Sequence, residues 1–157
     1  MKYRRLRLYN WEIFYGENEI QFSTNSDKPV TLIFGANGGG KTSILVAMYW
    51  CLYGDLDVDN AHSRKELGEL FNLRALEEIS AGSSGTAWVE LEFDIDPSGE
   101  NTYTVRREIS AQRSAKGDLS FGHSVTLVER QGQDIFQHAS SALVDNVLRK
   151  TLARHFF

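Results

Sequence analysis

One cysteine and two prolines are all that this 157-residue chain carries of either type. A lone thiol closes no intrachain disulfide, so the fold must rest on a packed core, and one domain of this length can bury one. Cys51 lies inside an apolar run, which predicts a buried, unreactive thiol and suits a reducing cytoplasm. Long hydrophobic runs are missing as well. The longest, residues 44–53, is about half of the ~20 residues that span a bilayer, so no membrane partner is expected. The opening MKYRRLRLYNW is basic, but it alternates with apolar residues and has no apolar core, so it is not a signal peptide. Positive charge is not in excess either. Lys and Arg number 17 against 21 Asp and Glu, a formal net charge of −4. No global basic field draws the chain onto nucleic acid, and contact with DNA would need a local patch or a partner. His62, His123, His138 and His155 have no ligand spacing and no cysteine partners, so no protein-bound metal site is expected beyond a nucleotide's own Mg²⁺.

Hydrophobic periodicity predicts a mixed α/β chain. Residues 2–9 alternate, with Tyr3, Leu6 and Leu8 against Lys2, Arg4, Arg5 and Arg7 and one slip of register; this is an early strand. A turn is expected at Gly16 and Glu17, then a second strand over residues 19–22. Residues 30–34 form a short β-branched and aromatic run that predicts a strand buried on both faces. Residues 42–53 are apolar nearly all round, as an interior helix is, and Gly54 is a natural C-cap. Ser63 and Glu66 fit a capping box opening a helix to about Ile79. Three strands are then predicted over residues 86–95, 101–109 and 123–130, joined by turns and by a mobile loop at SAQRSAKGD. In the first, Val89, Leu91, Phe93 and Ile95 share one face and Trp88, Glu90, Glu92 and Asp94 the other. In the second, Tyr103, Val105 and Ile109 alternate with Thr102, Thr104 and Glu108. A last helix, residues 141–155, carries a stripe of Val144, Leu148 and Leu152.

Between the expected buried strand and the buried helix lies Gly35-Ala36-Asn37-Gly38-Gly39-Gly40-Lys41-Thr42-Ser43. It satisfies G-x-x-x-x-G-K-[ST] in full. Backbone N–H groups that curl around a phosphate need angles that glycine adopts cheaply. The helix that follows presents the positive end of its dipole. Lys41 is placed to supply a mobile charge to the β- and γ-phosphates, and the Thr42 hydroxyl to ligate Mg²⁺. By chance the four fixed positions fall together in about one chain in two hundred of this length. The flanking strand and helix are the context that separates a true phosphate loop from such an accident. The expected ligand is ATP with Mg²⁺.

The order of parts resembles the heads of SMC-type ABC ATPases, the family of chromosome-maintenance and double-strand-break-repair ATPases. The likeness rests on Leu6, Leu8, Asn10, Trp11, Ile20, Phe22, the run FGANGGGKTS, Leu52-Tyr53-Gly54 and the strands WVELEFDI and TYTVRREI. It implies an α/β P-loop NTPase fold, the N-terminal lobe of an ABC/SMC-type ATPase head with an antiparallel side sheet. It further implies a C-terminal lobe of the same protein, an ATP-dependent head dimer, double-stranded DNA and other modification or repair proteins as partners. Within that family NWEIFYGENEI, LYGD, FNLRAL and LARHFF are similar to the DndD group, the ATPases of bacterial DNA phosphorothioate modification. One departure stands at Glu12, where repair-type heads often have a basic residue that contacts phosphate. Arg64 lies near the place of a DNA-sensing arginine in chromosome-type heads, and a solvated arginine explains it equally. Arg4, Arg5 and Arg7 fit DNA contact or the charged protection of an edge strand.

Hydrolysis needs a buried apolar run ending in Asp-Glu, to help hold Mg²⁺ and to orient water. No such run occurs. Asp94 ends an alternating strand, and Asp55, Asp57 and Asp59 read as a solvated loop. LSFGH, residues 119–123, falls short of an ABC signature, and Gln131 reads as a hairpin turn rather than a Mg²⁺-binding glutamine. The ending RHFF reads as the close of an N-terminal piece, residues 1–157 being a nucleotide-binding lobe cut before a coiled coil and a C-terminal lobe. The expectation is an ATPase in the full-length protein with no catalytic residue in this part. A non-hydrolysing nucleotide-binding scaffold and a small P-loop kinase remain as alternatives.

Overall fold

The structure is a computed structural model that describes residues 1–54, 66–95 and 98–153, the last three as backbone only. Six strands form one sheet: β1 Lys2–Trp11, β2 Phe14–Gln21, β3 Ser84–Asp94, β4 Asn101–Arg113, β5 Leu119–Gln131 and β6 Asp134–His138. Their order is β2-β1-β3-β4-β5-β6, every pair antiparallel. The helices are α1 Lys41–Tyr53, α2 Leu67–Leu70, α3 Leu73–Glu77 and α4 Ser141–Ala153.

Side chains in a strand alternate between faces, so registered strands build rows across a sheet. Here one row runs Leu6, Leu91, Val105, Leu127, and the next runs Leu8, Val89, Arg107, Val125. These apolar rows are buried. Against them α1 packs Ile44, Val46, Ala47, Trp50, Cys51 and Leu52, while α4 contributes Val144 and Leu148. Trp50 stacks on Trp11 with ring centroids 5.0 Å apart, a contact worth ~0.5–1.5 kcal/mol beyond its burial. Arg107 is the one charge in its row. It is 2% exposed, its Nε donates to the Cys51 carbonyl at 2.9 Å, and its Nη2 donates to Asp145 Oδ1 at 2.8 Å. Gly54 caps α1 with φ 69°, and its N–H returns to the Trp50 carbonyl at 2.8 Å.

The opposite face is an ionic ladder. Arg7 pairs with Glu90 and Glu17, Arg5 with Glu92 and Glu19, Arg106 with Glu108 and Glu90. Trp88 lies among them, stacked on Tyr9, with the Arg106 guanidinium 4.0 Å from its ring. The exposed pairs, such as Arg5–Glu19, contribute ~0–1 kcal/mol each, while Glu90 is buried between Arg7 and Arg106 and holds the register. β1 is therefore an inner strand and not an edge, and its arginines are matched to acids on both neighbours.

The structure bears out much of the pattern reading and corrects it in five places. The slip in β1 is a real irregularity between Tyr3 and Arg5. The first turn, however, falls at Glu12 and Ile13, not at Gly16 and Glu17. Gly16 lies inside β2 with φ 68°, its N–H held by Asn10 Oδ1 at 2.9 Å. The long helix expected to reach Ile79 is instead α2 and α3, broken at Phe71 and Asn72 because both turn to pair with residues 10–12. Its proposed capping start at Ser63 lies outside the described residues. β4 runs on into the first four residues of the expected mobile loop, to Arg113, and β5 starts at Leu119 rather than His123, because each supplies the other's hydrogen bonds from Asn101–Gln131 to Arg113–Leu119. The short strand β6 was hidden by its turn residues. Finally, residues 30–34 form no strand. Val30, Leu32 and Phe34 are 69%, 71% and 86% exposed. A β run needs neighbouring strands for its N–H and C=O groups, and among the described residues no ladder forms along it.

Cys51 gives a direct test of this core. Its Sγ lies 3.3 Å from the Val105 carbonyl, and burial pushes the thiol up from 9.0 to about 12. The native protein at pH 8 should therefore resist a thiol reagent such as dithionitrobenzoate and react fully in 6 M guanidinium. Stability should also fall as pH rises from about 9 towards 12, since the unfolded thiol ionises first. Rapid native labelling would contradict the packing of α1 on β3 and β4.

Candidate functional site: a glycine cradle at the start of α1

Residues 35–40 curl into a turn in which the Gly39 N–H donates to the Ala36 carbonyl at 3.0 Å. Gly38 and Gly40 have φ of 79° and 84°, angles that cost other residues ~1–2 kcal/mol. Gly40 is the N-cap of α1. It offers no side chain to the first N–H groups, and no acid occupies the first turn. Those N–H groups and the helix dipole therefore present an anion seat without an internal competitor. Lys41 Nζ donates to the Gly35 and Ala36 carbonyls, 2.8 Å each, and so folds over the loop as a local counter-charge to its carbonyl dipoles. Ala36, Asn37 and Thr42 are exposed; Ser43 is buried, its carbonyl receiving the Trp11 indole Nε1–H at 3.1 Å. The donor set suits a phosphate chain with a hydrated divalent cation: open N–H groups, one ammonium and one exposed hydroxyl at Thr42.

The floor of the cradle is the β1–β2 turn. Asn10 and Glu12 hold φ of 49° and 46°, rare for non-glycine residues. The strain is over-determined by its neighbours, as such strain has to be. Glu12 N–H donates to the Leu70 carbonyl at 2.7 Å, Asn72 N–H to the Asn10 carbonyl at 2.7 Å, and Asn72 Nδ2 to the Glu12 carbonyl at 2.6 Å. Asn10 Nδ2 donates to the Thr86 carbonyl at 3.2 Å. This turn presses Ile13 and Phe14 against Gly40, where a methyl group would come within 2.7 Å of both side chains. On the outer flank Tyr15 donates its hydroxyl to Glu78 at 2.6 Å, under the Arg74 guanidinium. That bond, with Arg74 beside it, holds the Glu78 carboxyl below its ordinary range.

Of the other residues singled out in the sequence, Arg64 and the acids Asp55, Asp57 and Asp59 lie outside the described residues. Arg4 is held by Asp94, both of whose oxygens lie 2.7 Å from its Nε. Asp94 also accepts from Thr102, so it serves the sheet, far from a role at the cradle. Residues 119–123 belong to β5, and Gln131 pairs with Asp134 at the final hairpin. Three supporting residues escaped the sequence reading. Trp11 reads there as an aromatic of the family pattern, not as a donor to the cradle helix. Asn72 sits at a helix start that a continuous apolar stripe concealed. Arg107 could have been found, because it occupies an apolar phase between Val105 and Ile109.

Comparison with known proteins places these features in context. A family model described as an AAA domain matches residues 5–151. The SbcC component of nuclease SbcCD from Treponema pallidum is 31% identical over 115 residues, 73% of this chain and 10% of that protein. The same component from Vibrio cholerae is 44% identical over 55 residues, 35% of this chain and 5% of that protein. The chain thus spans a tenth or less of the length of these curated relatives. A solved structure from work on ATP-driven dimerization and DNA stimulated activation of SMC ATPases superposes with a TM-score of 0.58 at 18% identity. It covers 97% of this chain and 80% of that one, and the likeness is one of fold.

The glycines of the cradle should differ sharply in tolerance. Gly40→Ala meets both a positive φ and the Ile13 and Phe14 side chains, and should lower unfolding free energy by ~2–3 kcal/mol. At Gly35 the nearest obstacle is Lys41 Cγ at 3.9 Å, so Gly35→Ala should stay within ~0.5 kcal/mol of the parent. Urea titrations of the two variants compare them directly.

Proposed function

This chain belongs to the AAA domain family, with the fold of the N-terminal lobe of an SMC-type ATPase head, and we propose that it is the ATP–Mg²⁺-binding half of a DNA-associated SMC-like ATPase. The observation that carries this reading is the cradle itself: left-handed glycines, a helix start free of acids, and a lysine folded over the loop. Gly35, Ala36, Asn37, Gly38, Gly39 and Gly40 wrap the phosphates with backbone N–H groups. Lys41 leaves the Gly35 and Ala36 carbonyls for the β- and γ-phosphates. Thr42 offers its hydroxyl to Mg²⁺, and Ser43 ends the motif. The cation, when bound, neutralises charge on the terminal phosphates.

The rest of the machine is proposed to lie elsewhere in the protein. Val30, Leu32 and Phe34 on one side and Leu45 of α1 on the other expose apolar surface beside the cradle. A strand of a C-terminal lobe pairing with residues 30–34 would bury that surface, and the same lobe would supply the acidic pair and the ABC signature. Two such heads would then close over ATP. The curated relatives are components of a nuclease, which favours a nucleic-acid partner; the proposed partner is double-stranded DNA and the proposed setting the cytoplasm. The likeness to the DndD group favours DNA phosphorothioate modification among such roles, with repair or defence as its neighbours. Arg64 is kept as the candidate DNA contact, since Arg4, Arg5 and Arg7 are engaged by acids.

Calorimetric titration with adenylyl imidodiphosphate and Mg²⁺ tests the site. Lys41→Ala should weaken binding at least 50-fold, about 2.3 kcal/mol, with an unchanged circular dichroism spectrum. Equal affinity in a folded variant would remove the cradle as a nucleotide site.

Co-expression with a C-terminal lobe tests the wider reading. The pair should melt higher than the lone chain, because a partner that binds only the folded state stabilises it. DNA-stimulated turnover should appear in the pair and stay far below ~1 s⁻¹ in the chain alone. A non-hydrolysing scaffold would show the rise in melting temperature without turnover.

A further inference from the structure

The helix that opens the cradle is pinned at both ends by side chains of the sheet. At its first turn the Trp11 indole holds the Ser43 carbonyl, and at its last turn the Arg107 guanidinium holds the Cys51 carbonyl. The second pin is unlike the first because it carries charge. Arg107 stands in a row of Leu8, Val89 and Val125 and is 2% exposed. A guanidinium cannot give up its proton there, so it needs a counter-charge. Asp145 of α4 provides it through Oδ1 at 2.8 Å. Room for this arrangement is built in. A methyl group at Gly54 would come within 2.9 Å of Arg107 Cζ and Nη1. Gly54 therefore ends α1 and leaves space for the cation that neutralises the helix's negative end.

Asp145 is not sealed in. Its side chain is 35% exposed and helps line a cavity of about 230 Å³ between α1 and α4, with Tyr49, Leu52, Tyr53 and Arg149. If α4 lifts from its seat, Arg107 keeps its bond to α1 but loses its counter-ion inside an apolar layer. We propose that Arg107 is a positioning residue of the nucleotide site, which through Asp145 links the seat of α4 to the grip of the cradle. Anything that pulls on α4 then changes nucleotide affinity, and nucleotide binding tightens α4 in return, because such a coupling is reciprocal. This inference rests on the reading of residues 35–43 as a nucleotide site.

The test uses the 157-residue chain, with adenylyl imidodiphosphate and Mg²⁺ as the probe. Hydrogen exchange of the α4 amides is measured with and without probe, and affinity by calorimetry well below the melting temperature. In the parent, saturating probe should slow α4 exchange about fivefold. Asp145→Asn keeps an acceptor but removes the charge; it should bind five- to tenfold more weakly and lose the slowing of α4. Asp145→Glu restores the charge and should return affinity to within twofold of the parent. Unchanged α4 exchange in the liganded parent overturns the link, whatever the variants do. So does an Asp145→Asn protein that binds as tightly as the parent, or an Asp145→Glu protein as weak as Asp145→Asn, which would make the effect one of packing. A parent chain that gives no binding heat overturns the nucleotide-site reading and this inference together.

Discussion

A glycine cradle can be no steadier than the helix it opens, and here that helix has to be held by something other than a parallel sheet. α1 is apolar nearly all round, and the inner face of the antiparallel sheet takes one side of it. The Trp11–Trp50 stack sets the distance between helix and sheet, and the Trp11 indole and Arg107 guanidinium fix where along the sheet the helix lies. Gly40 then has no freedom to drift, because Ile13 and Phe14 press on it from below. Removing the Trp11 ring would cost ~3–5 kcal/mol of packing and loosen the cradle at the same time. Stability and the geometry of the site are here one property.

The two faces of the sheet solve opposite problems with the same alternation. Among the described residues the inner face carries Arg107 at its apolar centre, with Arg113 and Glu129 toward its margins, and Arg107 is bonded to helices on both sides. The outer face spends its charges on itself. Arg5, Arg7 and Arg106 alternate across strands with Glu90, Glu92 and Glu108, so little field is left to project into solvent. A formal charge of −4 for the chain fits that pattern. Under the proposed role on DNA, the basic opening strand is then a register device, and the contact has to be sought elsewhere.

The strained turn at Asn10 and Glu12 ties these parts together. It is gripped by Leu70 and Asn72 from one side and supports the cradle from the other. Left-handed angles at two non-glycine residues persist only because five hydrogen bonds leave the backbone no alternative. The family likeness has a physical counterpart in this turn. The Asn-aromatic pair, Asn10 and Trp11, which resembles the SMC-type pattern, is the pair that makes the turn and reaches the helix.

The sequence by itself determined the elements whose signals are local. Glycine spacing and the Gly-Lys-Thr run marked the cradle, because the backbone angles and charges it needs are written in adjacent residues. Alternation marked β1, β3, β4 and β5, since a sheet with one buried face imposes period two on each strand separately. Even the slip between Tyr3 and Arg5 was visible this way. Tertiary structure alone decided the rest. The pairing of residues 70–72 with residues 10–12 broke an expected helix, because distant hydrogen bonds outweighed a continuous apolar stripe. The run at residues 30–34 has every local mark of a buried strand, yet it stays exposed, since a strand exists only where a neighbour meets its backbone. Arg107 shares the apolar phase of Val105 and Ile109 in the sequence, but only the register sets it opposite Val89 and Val125, where burial requires Asp145 from a helix thirty-eight residues away.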